Sequence, residues 1–331
     1  MIWLTWRQFR AQAAVIYGAV LALIAVLALT GPALAHLSST AGTRFLSEVD
    51  GIDSDLYIVA SLALLALPAI IGLFWGAPLV TRELDAGTQR LIWTQTTRTR
   101  WLVAKLGTIG LAAVAAAGLL SLALTWWASP IDAAIADRTS VPGPGYFIFP
   151  RLSPEMFGAR GIVPLGYAAF AFLLGVTLGV IIRRTLPAMA LFLAGYGLTQ
   201  VFLSVVVRPS LITPSQLTTT VSTGNFLNLN FFGNLTVTVD SPGAWGTGEH
   251  TVNAAGQAVP VPAWMSDCVM HSPGGMAACF TKFARLGYRE LVSFQPASHF
   301  WVLQGAETAI YLALAVALAG VCTWWIRHRL C

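Results

Sequence analysis

Two stretches of 26 residues, Leu56–Thr81 and Leu106–Ile131, contain no Asp, Glu, Lys or Arg. Each is longer than the roughly 20 residues that an α-helix needs to cross the hydrocarbon core of a bilayer. The chain is 56% hydrophobic and 10% charged, whereas soluble domains carry about 25% charged residues. A soluble fold of 331 residues has too small an interior to bury this apolar surface. The sequence therefore predicts an integral membrane protein.

Six segments are long and apolar enough to span the membrane, and backbone groups in lipid must be satisfied within their own segment. The predicted fold class is therefore an all-α integral membrane protein with six transmembrane helices. Both termini are expected in the cytoplasm, and a small mixed α/β external domain is expected between the fifth and sixth helices. The predicted spans lie within 12–34 and 56–80, at about 106–129, 161–182 and 186–207, and at 302–326.

The first span has an alternative interpretation as a secretory signal peptide. Arg7 and Arg10 precede an apolar run that ends in Ala33-x-Ala35, which is the pattern of a cleavage site. The run is long for a signal core, so we expect the segment to be retained as a membrane helix. Either interpretation leaves the N-terminus inside.

The distribution of basic residues predicts the orientation. With the N-terminus in the cytoplasm, the only acidic residues on the inside are Glu83 and Asp85. Short cytoplasmic loops carry an excess of Lys and Arg, so this arrangement agrees with the positive-inside rule. We therefore expect a multi-pass protein of the cell membrane and no nucleic-acid partner. The basic residues on the predicted inner side are Arg7, Arg10, Arg82, Arg90, Arg98, Arg100, Lys105, Arg183, Arg184, Arg327 and Arg329.

The chain divides into four predicted regions. Residues 1–12 carry apolar side chains and two arginines, which predicts an interfacial N-terminal helix. Residues 13–207 hold helices one to five, and residues 302–331 hold the sixth helix and a cytoplasmic tail. Between them, 208–301 is the external domain, in which the alternating stretch "NLTVTVD" predicts a strand. In the same domain, "GQAVPVPAW" suggests an edge strand, and "GMAACFTKFARLGYRELV" predicts a short helix.

Two cysteines of the predicted external domain, Cys268 and Cys279, lie 11 residues apart. An oxidising compartment favours a disulfide between them. A metal site that includes His271 is the alternative, but two Cys and one His are one ligand short of a closed zinc site. We therefore expect a disulfide and no metal.

The sequence lacks the motif for binding ATP phosphates in a P-loop. Its two lysines, Lys105 and Lys282, do not follow a glycine, which excludes a GxxxxGK[ST] loop. It also lacks HExxH and Gly-x-Ser-x-Gly. We therefore predict a chain that is not an enzyme and carries no cofactor of its own.

The charged stretch between the second and third spans resembles the corresponding cytoplasmic segment of ABC-2-type exporter permeases. The matching residues are Glu83, Gly87-Thr88, Leu91, Thr97-Arg98 and Lys105-Leu106. A second stretch, Tyr288–Ala315, is similar to the start of the last span in actinobacterial members. The expected topology also matches that of the family.

This resemblance implies that 81–101 is a coupling segment that docks on a separate ABC ATPase subunit, which binds the ATP and Mg²⁺. It also implies export, and a second permease chain that is identical or paralogous. The residues expected to contact the ATPase are Arg82, Glu83, Asp85, Gly87, Thr88, Arg90 and Leu91.

The residues themselves are compatible with this role. As a helix, the segment places Leu84, Thr88 and Leu91 on one face. Gly87 would allow a partner backbone to approach. The alternative is an interfacial helix that is held only by its arginines and tryptophans. That alternative leaves Glu83 and Asp85 without an explanation.

Glu307 is an acid inside the predicted last span, and Gln304 lies one turn before it. Ionisable residues within spans usually face a protein interior or a cavity, so we predict a substrate path or gate here. The expected partner of Glu307 is Gln304, Arg285 or Arg289, and the alternative is a side chain that reaches the headgroups. We expect an amphipathic or apolar cargo, either a small molecule or a lipid. A secondary transporter and a membrane-anchored sensor with an external receptor domain remain the alternative functions.

Overall fold

The fold is described from a computed structural model. The described residues are 2–49, 51–85, 98–136, 149–229, 235–238, 241–271 and 275–329. They form two compact units, one comprising 1–208 and 301–331 and the other 209–300. We call the first the helix bundle and the second the 209–300 unit.

The helix bundle holds most of the helical residues. Its long helices are α1, α3, α5, α8, α9 and α13, and shorter helices connect them. The α-helices of the described residues are α1 (Ile2–Ala41), α2 (Phe45–Glu48), α3 (Gly51–Ile71), α4 (Pro78–Asp85), α5 (Arg98–Trp127), α6 (Ser129–Ala136), α7 (Pro154–Phe157), α8 (Val163–Ile182), α9 (Thr185–Phe202), α10 (Arg208–Ser210), α11 (Ala263–His271), α12 (Met276–Arg285) and α13 (Phe300–Arg329).

Six helical segments of the described residues are long and apolar enough to cross a membrane. This confirms the predicted fold class, including the small sheet-containing unit between the fifth and sixth helices. The segments are Phe9–Glu48, Gly51–Thr81, Leu102–Trp127, Val163–Ile182, Thr185–Ser210 and Ala297–His328.

Helix α8 is the centre of the bundle. It is the most buried of the six spans, with 61% of its most apolar 18 residues inside, and it packs against α3, α5 and α9. A helix that is surrounded by other helices has no lipid-facing stripe, so it is apolar all round. A movement of α8 therefore alters its contacts with three other spans.

The first helix is continuous from Ile2 to Ala41. The interfacial helix that we expected over residues 1–12 is thus not a separate element with a turn before the first span. The reason lies in the packing of Phe9, which is buried and meets the ring of Trp75 edge-on at 4.5 Å. This contact draws the start of the chain into the bundle.

The second span crosses α8 through glycine residues. The π-helical turn Gly72–Gly76 joins α3 to α4, and α8 carries the matching pair Gly175 and Gly179. A Cβ atom on Gly175 would lie 2.3 Å from the Gly72 carbonyl oxygen, and one on Gly179 would lie 2.5 Å from the Ala77 carbonyl oxygen. Small residues spaced four apart let helix backbones touch in membranes. Backbone is therefore packed directly on backbone at this crossing.

The described residues of the 209–300 unit form two antiparallel sheets. The three-stranded sheet has the order β1-β5-β4, and β2 pairs with β3. Helices α11 and α12 belong to the same unit, and Phe283 and Val292 lie in its apolar core. The strands are β1 (Ser215–Thr219), β2 (Phe226–Leu229), β3 (Leu235–Val237), β4 (Trp245–Val252) and β5 (Arg289–Gln295).

The expectations for this unit were met in part. The strand predicted in "NLTVTVD" is confirmed as β3. In "GQAVPVPAW", Ala258 forms a single bridge to Val252 and no strand is formed. The helix predicted in "GMAACFTKFARLGYRELV" ends at Arg285. After it, Gly287 adopts a φ of 84°, which reverses the chain and starts β5.

Candidate functional site

The strongest polar cluster inside the bundle is an ion pair between Arg208 and Glu307. The Arg208 Nε atom donates to Glu307 Oε2 at 2.7 Å, and Nη2 donates to Oε1 at 2.9 Å. Both residues are 2% exposed. A two-pronged contact is the strongest form of an Arg–carboxylate pair because both carboxylate oxygens are satisfied by a planar donor. Here it joins the fifth and sixth spans.

Tyr167 completes this cluster from the central helix. Its hydroxyl donates to Glu307 Oε1 at 2.6 Å and accepts from Arg208 Nη2 at 3.2 Å. The guanidinium of Arg208 also lies 4.3 Å from the ring centroid of Phe157, a favourable cation–π arrangement. We refer to Tyr167, Arg208 and Glu307 as the buried triad. It connects α8, α10 and α13.

A second polar chain runs beside the triad. Tyr311 donates to the side-chain oxygen of Gln200 at 2.6 Å, and the amide nitrogen of Gln200 donates to the Tyr196 hydroxyl at 2.6 Å. The rings of Tyr167 and Tyr311 meet edge-on at 4.6 Å. The fourth, fifth and sixth spans are therefore linked by hydrogen bonds between polar side chains within an apolar bundle, where a lost partner is costly.

Gln304 caps the start of the central helix. Its Oε1 atom accepts from the backbone N–H groups of Ile162 and Val163, both at 2.9 Å, and its Nε2 atom donates to the Phe157 carbonyl at 3.0 Å. The first N–H groups of a helix have no partner within the helix, so a side-chain acceptor stabilises them. Gln304 therefore fixes α13 to the N-terminus of α8.

Local backbone features bring the triad together. The π-helical turn Leu203–Val207 lies directly before Arg208, and a π turn shifts the face on which the following residues point. Gly166 lies one residue before Tyr167, and a Cβ atom on it would be 3.2 Å from the Tyr311 Cβ atom. A glycine at this position therefore lets α13 approach α8 closely enough for Glu307 to reach Tyr167.

The triad was only half predicted. Glu307 and Gln304 were singled out from the sequence, but the expected partner of Glu307, one of Gln304, Arg285 and Arg289, was wrong. The carboxylate binds Arg208 and Tyr167 instead, and the side chain of Gln304 bonds to backbone groups. Burial of Glu307 also excludes the alternative of a side chain that reaches the headgroups. Arg208 was missed because it follows the fifth apolar run directly and was counted as the first residue of a loop.

The predicted coupling segment is described only in part. The backbone of Arg82, Glu83 and Asp85 forms the end of α4, which continues the second span. Gly87, Thr88, Arg90 and Leu91 lie outside the described residues. Just before the segment, the buried Thr81 hydroxyl lies 3.0 Å from the hydroxyl of Thr185. The start of the segment is therefore tied to the first turn of the fifth span.

The 209–300 unit contains the predicted disulfide and one unusual acid. Cys268 is bonded to Cys279, with their Cα atoms 6.3 Å apart, so the alternative of a metal bound by both thiolates is excluded. Glu290 is buried in the central strand β5 and accepts a hydrogen bond from the Thr251 hydroxyl. Burial raises the pKa of this carboxyl from 4.5 to about 7, and the nearby Glu249 acts in the same direction.

Comparison with protein families agrees with this architecture. Residues 17–208 match the model of the ABC-2 membrane transporter related family. The match covers more than half of the chain and runs from Tyr17, within the first span, to Arg208 of the triad, near the end of the fifth span. No curated protein and no solved structure shows significant similarity to the chain. The chain is a multi-pass transport protein of the permease type, and it belongs to the ABC-2 membrane transporter related family.

Proposed function

We propose that the chain is the permease subunit of an ATP-driven ABC exporter. In this proposal a separate subunit binds ATP and Mg²⁺ and docks on the 81–101 segment. Two permease chains, identical or paralogous, form the path. The excess of Lys and Arg in the predicted inner loops supports a cytoplasmic 81–101 segment and a 209–300 unit outside the cell membrane.

The glycine crossing is the observation that carries the proposal. Helix α4 leads into the 81–101 segment, and the turn before it is in backbone contact with α8 at Gly175 and Gly179. Packed backbones cannot be compressed, so displacement of one helix moves its neighbour. Force applied to α4 by an ATPase would thus reach the central helix directly.

The buried triad lies at the other end of the same helix. Tyr167 and Gly179 are 12 residues apart on α8, which corresponds to about 18 Å at the rise of an α-helix. A shift of α8 would move the Tyr167 hydroxyl relative to the Arg208–Glu307 pair. We propose that the triad is a gate contact that closes the ends of the fourth, fifth and sixth spans and breaks during transport.

The proposed cargo is amphipathic or apolar. Arg208 and Glu307 neutralise each other, so this pair offers no net charge to an ionic substrate. Most side chains on the spans are apolar, and an apolar lining favours contact with a drug-like or lipid-like molecule. Export, rather than import, is inferred from the resemblance of the 81–101 segment to exporter permeases.

Copurification tests the coupling. Glu83→Lys reverses a charge, and Gly87→Leu adds a side chain where we expect close backbone approach. Both variants should insert and express like the wild type, because neither changes a predicted span. Each should lose the ATPase subunit from the purified complex, or retain it with ATP turnover that no longer depends on the permease.

Two matched variants serve as controls. Glu48→Lys reverses an exposed glutamate in α2, which forms a surface ion pair with Arg44. Gly18→Leu adds the same side chain at a position where a Cβ atom would meet nothing within 4 Å. Both controls should retain the ATPase. If the two test variants also retain it with normal turnover, the 81–101 segment is an anchor and not a coupling element.

A secondary transporter is the second candidate, and the buried triad is the observation that favours it. Proton-coupled transporters use ionisable residues between spans, and Glu307 lies in such a position. In this case export would collapse with an uncoupler of the proton gradient and persist without an ATPase. The ABC proposal predicts the reverse for both treatments.

A further inference from the structure

An apolar groove runs along one side of the helix bundle. It lies between the third, fourth and sixth spans, has a volume of about 490 Å³, and is lined by Val103, Gly107, Leu111, Phe172, Ala319 and Thr323 among others. Thr323 is the polar side chain of this lining, and its hydroxyl is bonded to the Gly320 carbonyl of its own helix at 2.9 Å. The lining therefore presents an apolar surface to a ligand.

Glycines keep the groove open on the α5 side. A Cβ atom on Gly107 would meet nothing within 4 Å, and one on Gly110 would lie 3.2 Å from the ring of Phe172. The neighbouring Val103 and Leu111 are 55% and 72% exposed. The groove is thus an open furrow within the membrane-spanning part of the protein, where it faces the hydrocarbon of the bilayer.

The length of the groove matches one leaflet. On α5 it extends from Val103 to Val114, which is about 16 Å at 1.5 Å per residue. One leaflet contributes about 15 Å of the hydrocarbon core. Because Val103 lies near the start of the third span, the groove reaches from one membrane surface to about the midplane.

The cross-section of the groove indicates what kind of molecule can bind in it. A volume of about 490 Å³ over that length gives a mean cross-section of roughly 30 Å², whereas a helix at least 10 Å across needs roughly 80 Å². A single alkyl chain therefore fits within the groove, whereas a helix of a second chain would contact it only through side chains. The volume is also within the range of small-molecule sites with predominantly apolar walls.

A basic residue marks the surface end of the groove. Ala319, Thr323 and Arg327 are spaced four apart on α13, so they share one helix face. Arg327 is exposed and lies one turn beyond the groove lining. A basic residue at the surface end of an apolar groove favours a ligand that has an apolar chain and a negatively charged headgroup.

We propose that this groove binds one acyl chain of an anionic phospholipid, with the headgroup beside Arg327. The lipid comes from the leaflet on the side of α4 and the 81–101 segment, because α5 begins at that surface. It contacts α8 through Phe172, next to the glycine crossing. Its presence would thus stabilise the packing of the central helix. This site is independent of the ATPase and of the direction of transport.

Native mass spectrometry of the purified full chain tests the proposal, with phosphatidylglycerol and phosphatidylcholine as probes. The wild type should retain one phosphatidylglycerol per chain in preference to phosphatidylcholine. Gly107→Phe fills the groove and should lower phosphatidylglycerol retention at least about ten-fold, which corresponds to about 1.4 kcal/mol. Arg327→Gln should reduce phosphatidylglycerol retention to the level of phosphatidylcholine and leave the latter unchanged.

Gly197→Phe is the matched control, since a Cβ atom on this helical glycine of the fifth span also meets nothing within 4 Å. Equal phosphatidylglycerol retention by the two phenylalanine variants would overturn the proposal. So would a wild type without preference between the two lipids, a comparison that does not depend on the folding of any variant. Loss of a dimer in Gly107→Phe with unchanged lipid would assign the groove to a second chain instead. The samples contain no ATPase, so a failed coupling experiment leaves this result unaffected.

Discussion

Glu307 shows how a single acid is accommodated inside an apolar span. Its carboxylate receives three of the contacts in the triad, two from Arg208 and one from Tyr167. A buried pair of this kind adds little net stability, because desolvation of both charges offsets their attraction. Removal of one charge is different, because it leaves the other buried and uncompensated.

This asymmetry gives the first prediction. Glu307→Gln and Arg208→Met should each lower the stability of the bundle by about 3 kcal/mol or more. The double variant Glu307→Met with Arg208→Met should recover most of that loss. Thermal unfolding followed by tryptophan emission in detergent micelles measures all three. Additive losses in the double variant would contradict the pairing, and unchanged folding and transport in Glu307→Gln would exclude a role for the triad in gating.

Glu290 gives a prediction of pH dependence. Its pKa is about 7 in the folded unit against the ordinary value of 4.5, so deprotonation favours the unfolded chain. Stability of the 209–300 unit should be fully present below about pH 4.5 and decline as the pH rises through about 7, by up to about 3 kcal/mol. Glu249, whose pKa burial also raises, acts in the same direction.

Hydrogen exchange of β5 amides in the full chain measures this effect. Comparison with Glu290→Gln at each pH removes the intrinsic pH dependence of exchange. The protection of the wild type should fall relative to the variant between about pH 5 and about pH 8. A constant ratio over that range would mean that the carboxyl is ionised throughout.

At the level of helices, the glycine crossing determines how closely the second span and α8 pack. Gly175→Ala would place a Cβ atom 2.3 Å from the Gly72 carbonyl oxygen, and backbone cannot move aside as a side chain does. We expect a loss of about 2 kcal/mol or more. Gly195→Ala is the control, because its Cβ atom would lie 3.9 Å from Leu174. It should be neutral or stabilising, since alanine favours helix.

Thermal unfolding of both variants in micelles decides this prediction. A lower midpoint for Gly175→Ala together with an unchanged or higher midpoint for Gly195→Ala is the expected result. Similar midpoints for the two variants would mean that α8 and the second span are separated by more than the structure shows.

The spans were predictable from sequence, whereas their contacts were not. An uncharged run of about 20 residues indicates a membrane helix, whichever helices pack against it in the fold. Pairing of Arg208 with Glu307 depends on which helices are neighbours in the bundle and on the π turn before Arg208. Neither feature can be recognised from a local sequence pattern. The strand β5 was missed for a related reason. Tyr288–Val292 follows α12 without a proline or a long loop, and only the φ of Gly287 separates them.

For the whole molecule, topology is the property on which the functional proposal depends. Position 90 and the C-terminus are expected in the cytoplasm, and Thr251 is expected outside. Single cysteines at position 90 and at the exposed Ala255 of the same unit as Thr251, in a chain without Cys322 and Cys331, should react differently with a membrane-impermeant maleimide in intact cells. Position 255 should be labelled from outside, and position 90 only after permeabilisation. Labelling of position 90 in intact cells would reverse the topology.

The central claim is that the end of α4 contacts an ATPase, and photocrosslinking in cells tests it most directly. A benzophenone amino acid at position 83 should form an adduct with a protein that contains a phosphate-binding GxxxxGK[ST] loop, identified by mass spectrometry of the crosslinked peptides. The same probe at position 48 should form no such adduct. Adducts at position 83 with lipid alone, or with the same partners as at position 48, would contradict the assignment of this segment to ATPase coupling.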